Sequence, residues 1–275
     1  KPSINGVGNE KRDPGREGSL FGRAYTQEAL CISFFTLRWP DWVSILATLE
    51  NGQDAPRIKS FIRRIGRMTD AQRLALDTLW EKYCLNHQQS CNFAAVFGRR
   101  APVVLEIGFG NGESLAQTAA ANPDKDYIGI EVHKPGVGNL LAQLERQDIT
   151  NVRVFYHDAI EVLESCIPAN GLSAVHLFFP DPWHKRKHHK RRIVRPSFVH
   201  LIAQKLVAGG YFHAATDWQH YAQHMLKILA VADQFTNQSS DQSYCPRPDY
   251  RPLTKFEQRG LRLGHGVWDL IFMRR

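Results

Sequence analysis

The chain has 275 residues, 43% of them hydrophobic, and 35 Lys/Arg against 27 Asp/Glu give a formal net charge of +8. That much apolar material builds a sizeable core, which excludes a disordered or histone-like chain, while the basic excess favours polyanionic partners, above all nucleic acid. Five scattered cysteines (Cys31, Cys84, Cys91, Cys166, Cys245), none in CxxC spacing, support neither a disulfide framework nor a zinc ribbon, and a reducing cytoplasm is the expected compartment.

In chain order, residues 1–56 read as an N-terminal extension. "NGVGNEKRDPGREGS" is polar and glycine-rich, the composition of a disordered segment. "ALCISFFTLRWPDWVSILATL" is apolar but broken by Arg38, Pro40 and Asp41, so no spanning helix is expected. A signal peptide is not expected either, because the apolar part is short and lacks a small-residue cleavage site. The extension receives no function. A basic arm (57–68) comes next, in "RIKSFIRRIGRM", and Thr69 with Gln72 forms a capping-box pattern that opens a helix in "AQRLALDTLWEKY". The arm is either an exposed lead-in or a second contact for the polyanion; the sequence leaves both open.

Apolar runs then alternate with helical patterns. "VVLEI" (103–107), "YIGIE" (127–131), "VRVFY" (152–156), "AVHLFF" (174–179) and "GYFHAA" (210–215) read as buried strands. Between them "ESLAQTAAAN", "PGVGNLLAQLERQ", "AIEVLESCI" and "PSFVHLIAQKLV" are long enough for helices. This alternation predicts a Rossmann-like α/β domain with a doubly wound, mostly parallel sheet, whose ligands sit beyond the carboxyl ends of the strands.

The residues just beyond each strand are therefore the informative ones. After the first come Glu106 and the glycines Gly108, Gly110 and Gly112, in GxGxG spacing rather than the GxGxxG of a dinucleotide fold. Glu113 stands at the helix start, where it would repel a pyrophosphate. After the second strand Glu131 is placed to accept from ribose hydroxyls, and after the third Asp158 from an adenine amino group. A glycine loop with two such acids and no phosphate clamp describes S-adenosylmethionine better than NAD.

The fourth strand runs into "FFPDPWHKRKHHKRRIVRP". Asp181 lies where a methyl acceptor would meet the cofactor's sulfonium, and Pro180 and Pro182 stiffen the loop around it. From Lys185 to Arg195 there are seven Lys/Arg, two His and no acid, so the run is expected to stay solvated and to follow a nucleic-acid backbone. His184, His188 and His189 are not expected to bind a metal, since a field of cations opposes one.

"LEIGFGNGESL", "GIEVHKPGVG", "HDA", "FFPDPWHKRKHHKRR", "ATDW" and "RPLTKFEQRGLRLGHGVWDLIF" together resemble the bacterial tRNA (guanine-N7-)-methyltransferases, the TrmB family, from about Arg57 to the C-terminus. The resemblance implies a class I methyltransferase fold with an antiparallel C-terminal strand. It implies methyl transfer from S-adenosylmethionine to N7 of guanine 46 in the variable loop of tRNA. By the same resemblance Glu106, Glu131 and Asp158 contact the cofactor, with Gly108, Gly110, Gly112 and Ala159 beside them, and Asp181 marks the active site. Lys185, Asp217, Thr254, Lys255, Phe256 and Glu257 match substrate contacts. Lys187, His188, His189, Lys190, Arg191 and Arg192 match the RNA-contacting segment.

Guanine N7 is an unprotonated lone pair, so methylation needs no general base. It needs N7 held in line with the methyl group and a carboxylate near the ring that becomes cationic. Asp181, Asp217 and Glu257 are the candidates for stabilising that charge and for accepting from the guanine N1–H and N2 amine, and the sequence does not divide the two tasks among them. Asp217 is equally placed to cap the helix in "ATDWQHYAQHML". Two rivals remain: a methyltransferase for an exocyclic amine, whose Asn/Asp-Pro-Pro-aromatic order differs from the Pro-Asp-Pro-Trp found here, and an RNA-binding protein retaining only the fold.

Overall fold

Strands β1 (Val103–Ile107), β2 (Asp126–Glu131), β3 (Val152–Tyr156), β4 (Leu172–Phe178), β5 (Leu206–Thr216), β6 (Phe235–Asn237) and β7 (Trp268–Arg274) join in one sheet of order β3-β2-β1-β4-β5-β7-β6. The computed structural model describes residues 58–62, 66–262, 264 and 266–275, all within the unit Pro56–Arg275. The extension 1–56 therefore lies outside the described residues, as do the side chains of Lys255, Phe256, Arg259 and Leu261.

The first five strands pair in parallel, and β7 runs antiparallel to both β5 and β6. This is the expected doubly wound sheet with an antiparallel C-terminal strand. The connecting helices are α1 (Asp70–Tyr83), α2 (Phe93–Phe97), α3 (Glu113–Ala121), α4 (Lys134–Arg146), α5 (Ala159–Ser165), α6 (Pro196–Lys205), α7 (Gln219–Ala230) and α8 (Lys255–Arg262), with a 3-10 helix at Arg186–Arg191. No helix among the described residues is long and apolar enough to cross a membrane.

Strand periodicity sorts the core. Val103, Leu105 and Ile107 of β1 join a cluster with Val162, Leu163, Phe198, Ile202 and Met225, on the face covered by α5, α6 and α7. Val104 joins the opposite cluster with Leu76, Leu115, Val137, Leu140 and Leu144, beneath α1, α3 and α4. Since β1 and β2 are buried along their whole length, they read as continuous apolar runs rather than as alternating ones.

Strand β5 starts four residues earlier than the pattern suggested. Leu206 is extended rather than helical and pairs with Leu172, and a register shift before Ala174 absorbs the left-handed Gly209. The capping box forms as read: the Thr69 hydroxyl accepts from the Gln72 N–H at 3.2 Å, and the Gln72 side chain accepts from the Thr69 N–H at 2.9 Å. The order of the sheet reverses between β1 and β4, so a crevice opens beyond their carboxyl ends.

Candidate active site

A cavity of about 670 Å³ occupies that crevice. It is lined by Ile107 and Gly108 after β1, Ile130 and Glu131 after β2, His157 and Ala159 after β3, and the segment Leu177–Lys185 after β4. Volumes of roughly 300–1,000 Å³ suit ligands of cofactor size.

The glycine loop shows two different uses of glycine. Gly108 and Gly110 have φ of +75° and +59°, and nothing lies within 4 Å of where a Cβ would sit. Their backbone therefore borders open space that a side chain would fill. Gly112 is also left-handed, but a Cβ there would meet the Leu140 side chain at 2.7 Å, so it serves the packing of α3 against α4. Among the described residues, neither Gly110 nor Gly112 is part of the cavity lining.

Glu131 organises this loop. One carboxylate oxygen accepts from the Gly110 N–H at 2.8 Å, and the other from the Val132 and His133 N–H groups at 2.6 and 2.9 Å. A carboxylate offers about four lone-pair sites, so capacity for one further donor remains at the cavity wall. Glu106 is buried behind it, and its carboxyl is pushed up to about 8, chiefly by burial and then by the nearby Glu131 charge. Asp158 is buried as the N-cap of α5, where it accepts from the Ile160 N–H at 2.9 Å. S-adenosylmethionine fits this donor set: acids for hydroxyls and amines, a glycine backbone that admits close approach, and an acid rather than a phosphate cradle at the start of α3.

The opposite wall is the loop after β4. Asp181 is exposed and lines the cavity. Phe179 and Trp183, on either side of Pro180-Asp181-Pro182, have φ of 52° and 48°. Left-handed aromatic residues are strained by about 1–3 kcal/mol each, a cost found mainly at working sites. Three contacts hold them. The Phe179 N–H donates to the Ala215 carbonyl at 2.8 Å, the Trp183 indole N–H donates to the Ser60 carbonyl at 3.0 Å, and the Arg191 guanidinium lies 4.9 Å above the Trp183 ring. Ser60, Phe61 and Ile62 consequently form part of the cavity wall, which neither reading of the basic arm anticipated.

In the basic run, Lys185, Lys187 and Lys190 are exposed, while His188, His189 and Arg191 are half-buried. Lys185 and His188 line the cavity. Arg192 departs from the expectation of a wholly solvated, RNA-facing segment: it is fully buried. Its Nε donates to the Pro182 carbonyl at 2.9 Å, Nη2 donates to His220 Nδ1 at 3.1 Å, and the guanidinium sits 4.7 Å over the Tyr221 ring. An arginine so engaged braces the Asp181 loop.

The remaining substrate candidates divide in the same way. Asp217 is half-buried just past β5, and Trp218 rather than Asp217 is the N-cap of α7. The Thr254 hydroxyl accepts from the Glu257 N–H at 3.1 Å, at the start of α8. The side chains of Lys255 and Phe256 lie outside the described residues. Glu257 is buried, and its two oxygens accept from Arg251 Nη1 and Nη2 at 2.7 and 2.8 Å.

Arg251 also donates to both oxygens of Asp269, at 2.7 and 3.0 Å, and its guanidinium lies 5.9 and 5.6 Å from the Phe178 and Phe179 rings. Asp269 accepts in turn from His213 Nε2 at 2.7 Å, and the Tyr250 hydroxyl donates to His213 Nδ1 at 3.0 Å. Burial lowers the His213 pKa, consistent with this neutral tautomer. Sequence reading gives no role to Arg251, the first residue of "RPLTKFEQRG", or to Tyr250 before it. His157 was missed too, although it lines the cavity, stacks on His87 at 3.8 Å and lies 2.5 Å from a Glu161 carboxylate oxygen.

Comparison with known proteins agrees with this architecture. Residues 100–270 match a family model described as a putative methyltransferase. The tRNA (guanine-N(7)-)-methyltransferase of Alcanivorax borkumensis is 56% identical over 227 residues, covering 82% of this chain and 95% of its own. That of Photorhabdus laumondii is 58% identical over 226 residues, with the same two shares, 82% and 95%. Among solved structures, the 16S rRNA methyltransferase KamB aligns with 80% of this chain and 99% of its own at a TM-score of 0.48 and 16% identity, a likeness too loose to add to these. On the extent and level of that sequence identity, the chain belongs to the tRNA (guanine-N(7)-)-methyltransferase family.

Proposed function

We propose that this chain methylates N7 of a guanine in tRNA, at position 46 of the variable loop, with S-adenosylmethionine as donor. The observation that carries the proposal is a single cavity lined both by the glycine loop with Glu131 and by the loop bearing Asp181, with the cationic run 185–191 bordering it at Lys185 and His188. When bound, the cofactor supplies an electrophilic methyl group on a sulfonium centre. Gly108, Glu131 and Ala159 would hold it from the cavity wall, with Glu106 and Asp158 behind.

The protein's share of the chemistry is then modest and specific. N7 attacks through its own lone pair, so no side chain removes a proton. Asp181 faces the ring that turns cationic and favours that charge. With Glu257 taken up by Arg251, Asp217, half-buried just past β5, is the candidate left to accept from the guanine N1–H and N2 amine. Glu257, already held by both Arg251 prongs, keeps α8 in place. Lys187 and Lys190 meet phosphates, and the enzyme works in the cytoplasm, where its substrate is.

The test is methyl transfer from radiolabelled S-adenosylmethionine to bulk tRNA, with nucleoside analysis of the product. Label in 7-methylguanosine is expected; label in an N1-, N2- or adenine-methylated nucleoside would sink the reading. An unmodified transcript with guanine 46 changed to adenine should accept no methyl group, and undiminished transfer would move the target elsewhere.

A further inference from the structure

Of the four described tryptophans, Trp80, Trp183 and Trp268 are partly covered, whereas Trp218 is 41% exposed. Helix chemistry does not account for an indole in that place. Trp218 is the N-cap of α7 and makes no side-chain cap bond, a position where Ser, Thr, Asp or Asn would add stability. Its backbone N–H is fixed by the Thr216 hydroxyl at 3.2 Å, so the residue is firmly seated at the carboxyl end of β5.

The surroundings point to a ligand with a π-face. Asp217 precedes it. The His184 ring stands edge-on to the indole, with centroids 4.1 Å apart and planes at 79°, and His184 itself lines the cavity between Trp183 and Lys185. Trp218 thus lies one side chain outside the cavity, next to the cationic run that suits a phosphate backbone. A guanine that enters this cavity to be methylated at N7 leaves its stack, which strips a neighbouring base of its partner.

We propose that Trp218 forms a rim subsite on which the nucleobase next to the target guanine stacks. This inference rests on the proposed function. Stacking is tolerant of base identity and carries no charge, which separates it from the lysine contacts.

The experiment measures tRNA affinity of W218A, W218F and W218L across a range of salt concentrations, with S-adenosylmethionine affinity and thermal melting alongside. W218A should bind tRNA about tenfold more weakly, on a salt line parallel to that of the unaltered protein. W218F should recover most of the loss, and W218L, which keeps apolar bulk without a π-face, should not. Melting and cofactor affinity should stay within error, because the residue is exposed. W218A within about twofold of the unaltered protein overturns the subsite, and so does W218L equal to W218F. Failure of the unaltered protein to methylate tRNA at all would instead overturn the proposed function.

Discussion

Glu106 carries the clearest titration in the site. Its usual value of 4.5 is raised to about 8, so the folded chain holds a proton there that the unfolded chain releases. Stability from this group is full below about 4.5, falls as pH rises, and is lost above about 8. A cofactor bearing an ammonium and a sulfonium favours the ionised form, so binding near neutral pH should expel a proton and tighten as pH rises. Calorimetry in buffers of different ionisation heat should record that release, and E106Q should abolish it; equal release from E106Q would assign the proton elsewhere. Asp181 makes a different kind of contribution. D181N keeps the shape of the carboxylate but removes its charge, and should slow single-turnover methyl transfer by about a hundredfold or more. S-adenosylmethionine affinity should stay within about threefold. A near-normal rate would transfer the task to Asp217.

Between the loop after β4 and the adjoining 3-10 helix, division of labour is the rule. K187A/K190A should weaken tRNA binding and flatten its log–log salt dependence by up to about 2 units, roughly one for each phosphate that a lysine no longer neutralises. R192M should leave that slope intact, yet lower both melting temperature and methyl-transfer rate, because it frees the Pro182 carbonyl and His220. A flattened slope in R192M would return Arg192 to the RNA surface. Sequence could not have drawn this line, since an arginine in a run of basic residues looks solvated, and its partners at Pro182 and His220 are brought near only by folding. The strands were legible because burial on both faces leaves long apolar runs, and the glycine loop because few residues tolerate φ of +75° or +59°. Phe179 and Trp183 are the reverse case. Local preference argues against a left-handed aromatic, so their backbone was invisible until Ser60, Ala215 and Arg191 were seen to hold it.

At the scale of the molecule, the cluster of Arg251, Glu257, Asp269, His213 and Tyr250 joins α8, β7, β5 and the segment before α8. R251M leaves two buried carboxylates without their partner, which costs about 3–5 kcal/mol and should lower the melting temperature by on the order of 10 °C. Adding E257Q and D269N to R251M should recover much of that stability, since no stranded charge remains, while methyl transfer stays impaired because α8 has lost its anchor. Full activity in the triple variant would make the cluster purely structural. The same cluster also constrains descent. A gene that loses any one of the three charged members meets a penalty that only a second change relieves, so drift through single steps is closed. Arg251, Glu257 and Asp269 should therefore persist or disappear as a set across lineages, whereas Lys187 and Lys190, each standing alone in solvent, are free to wander among basic residues.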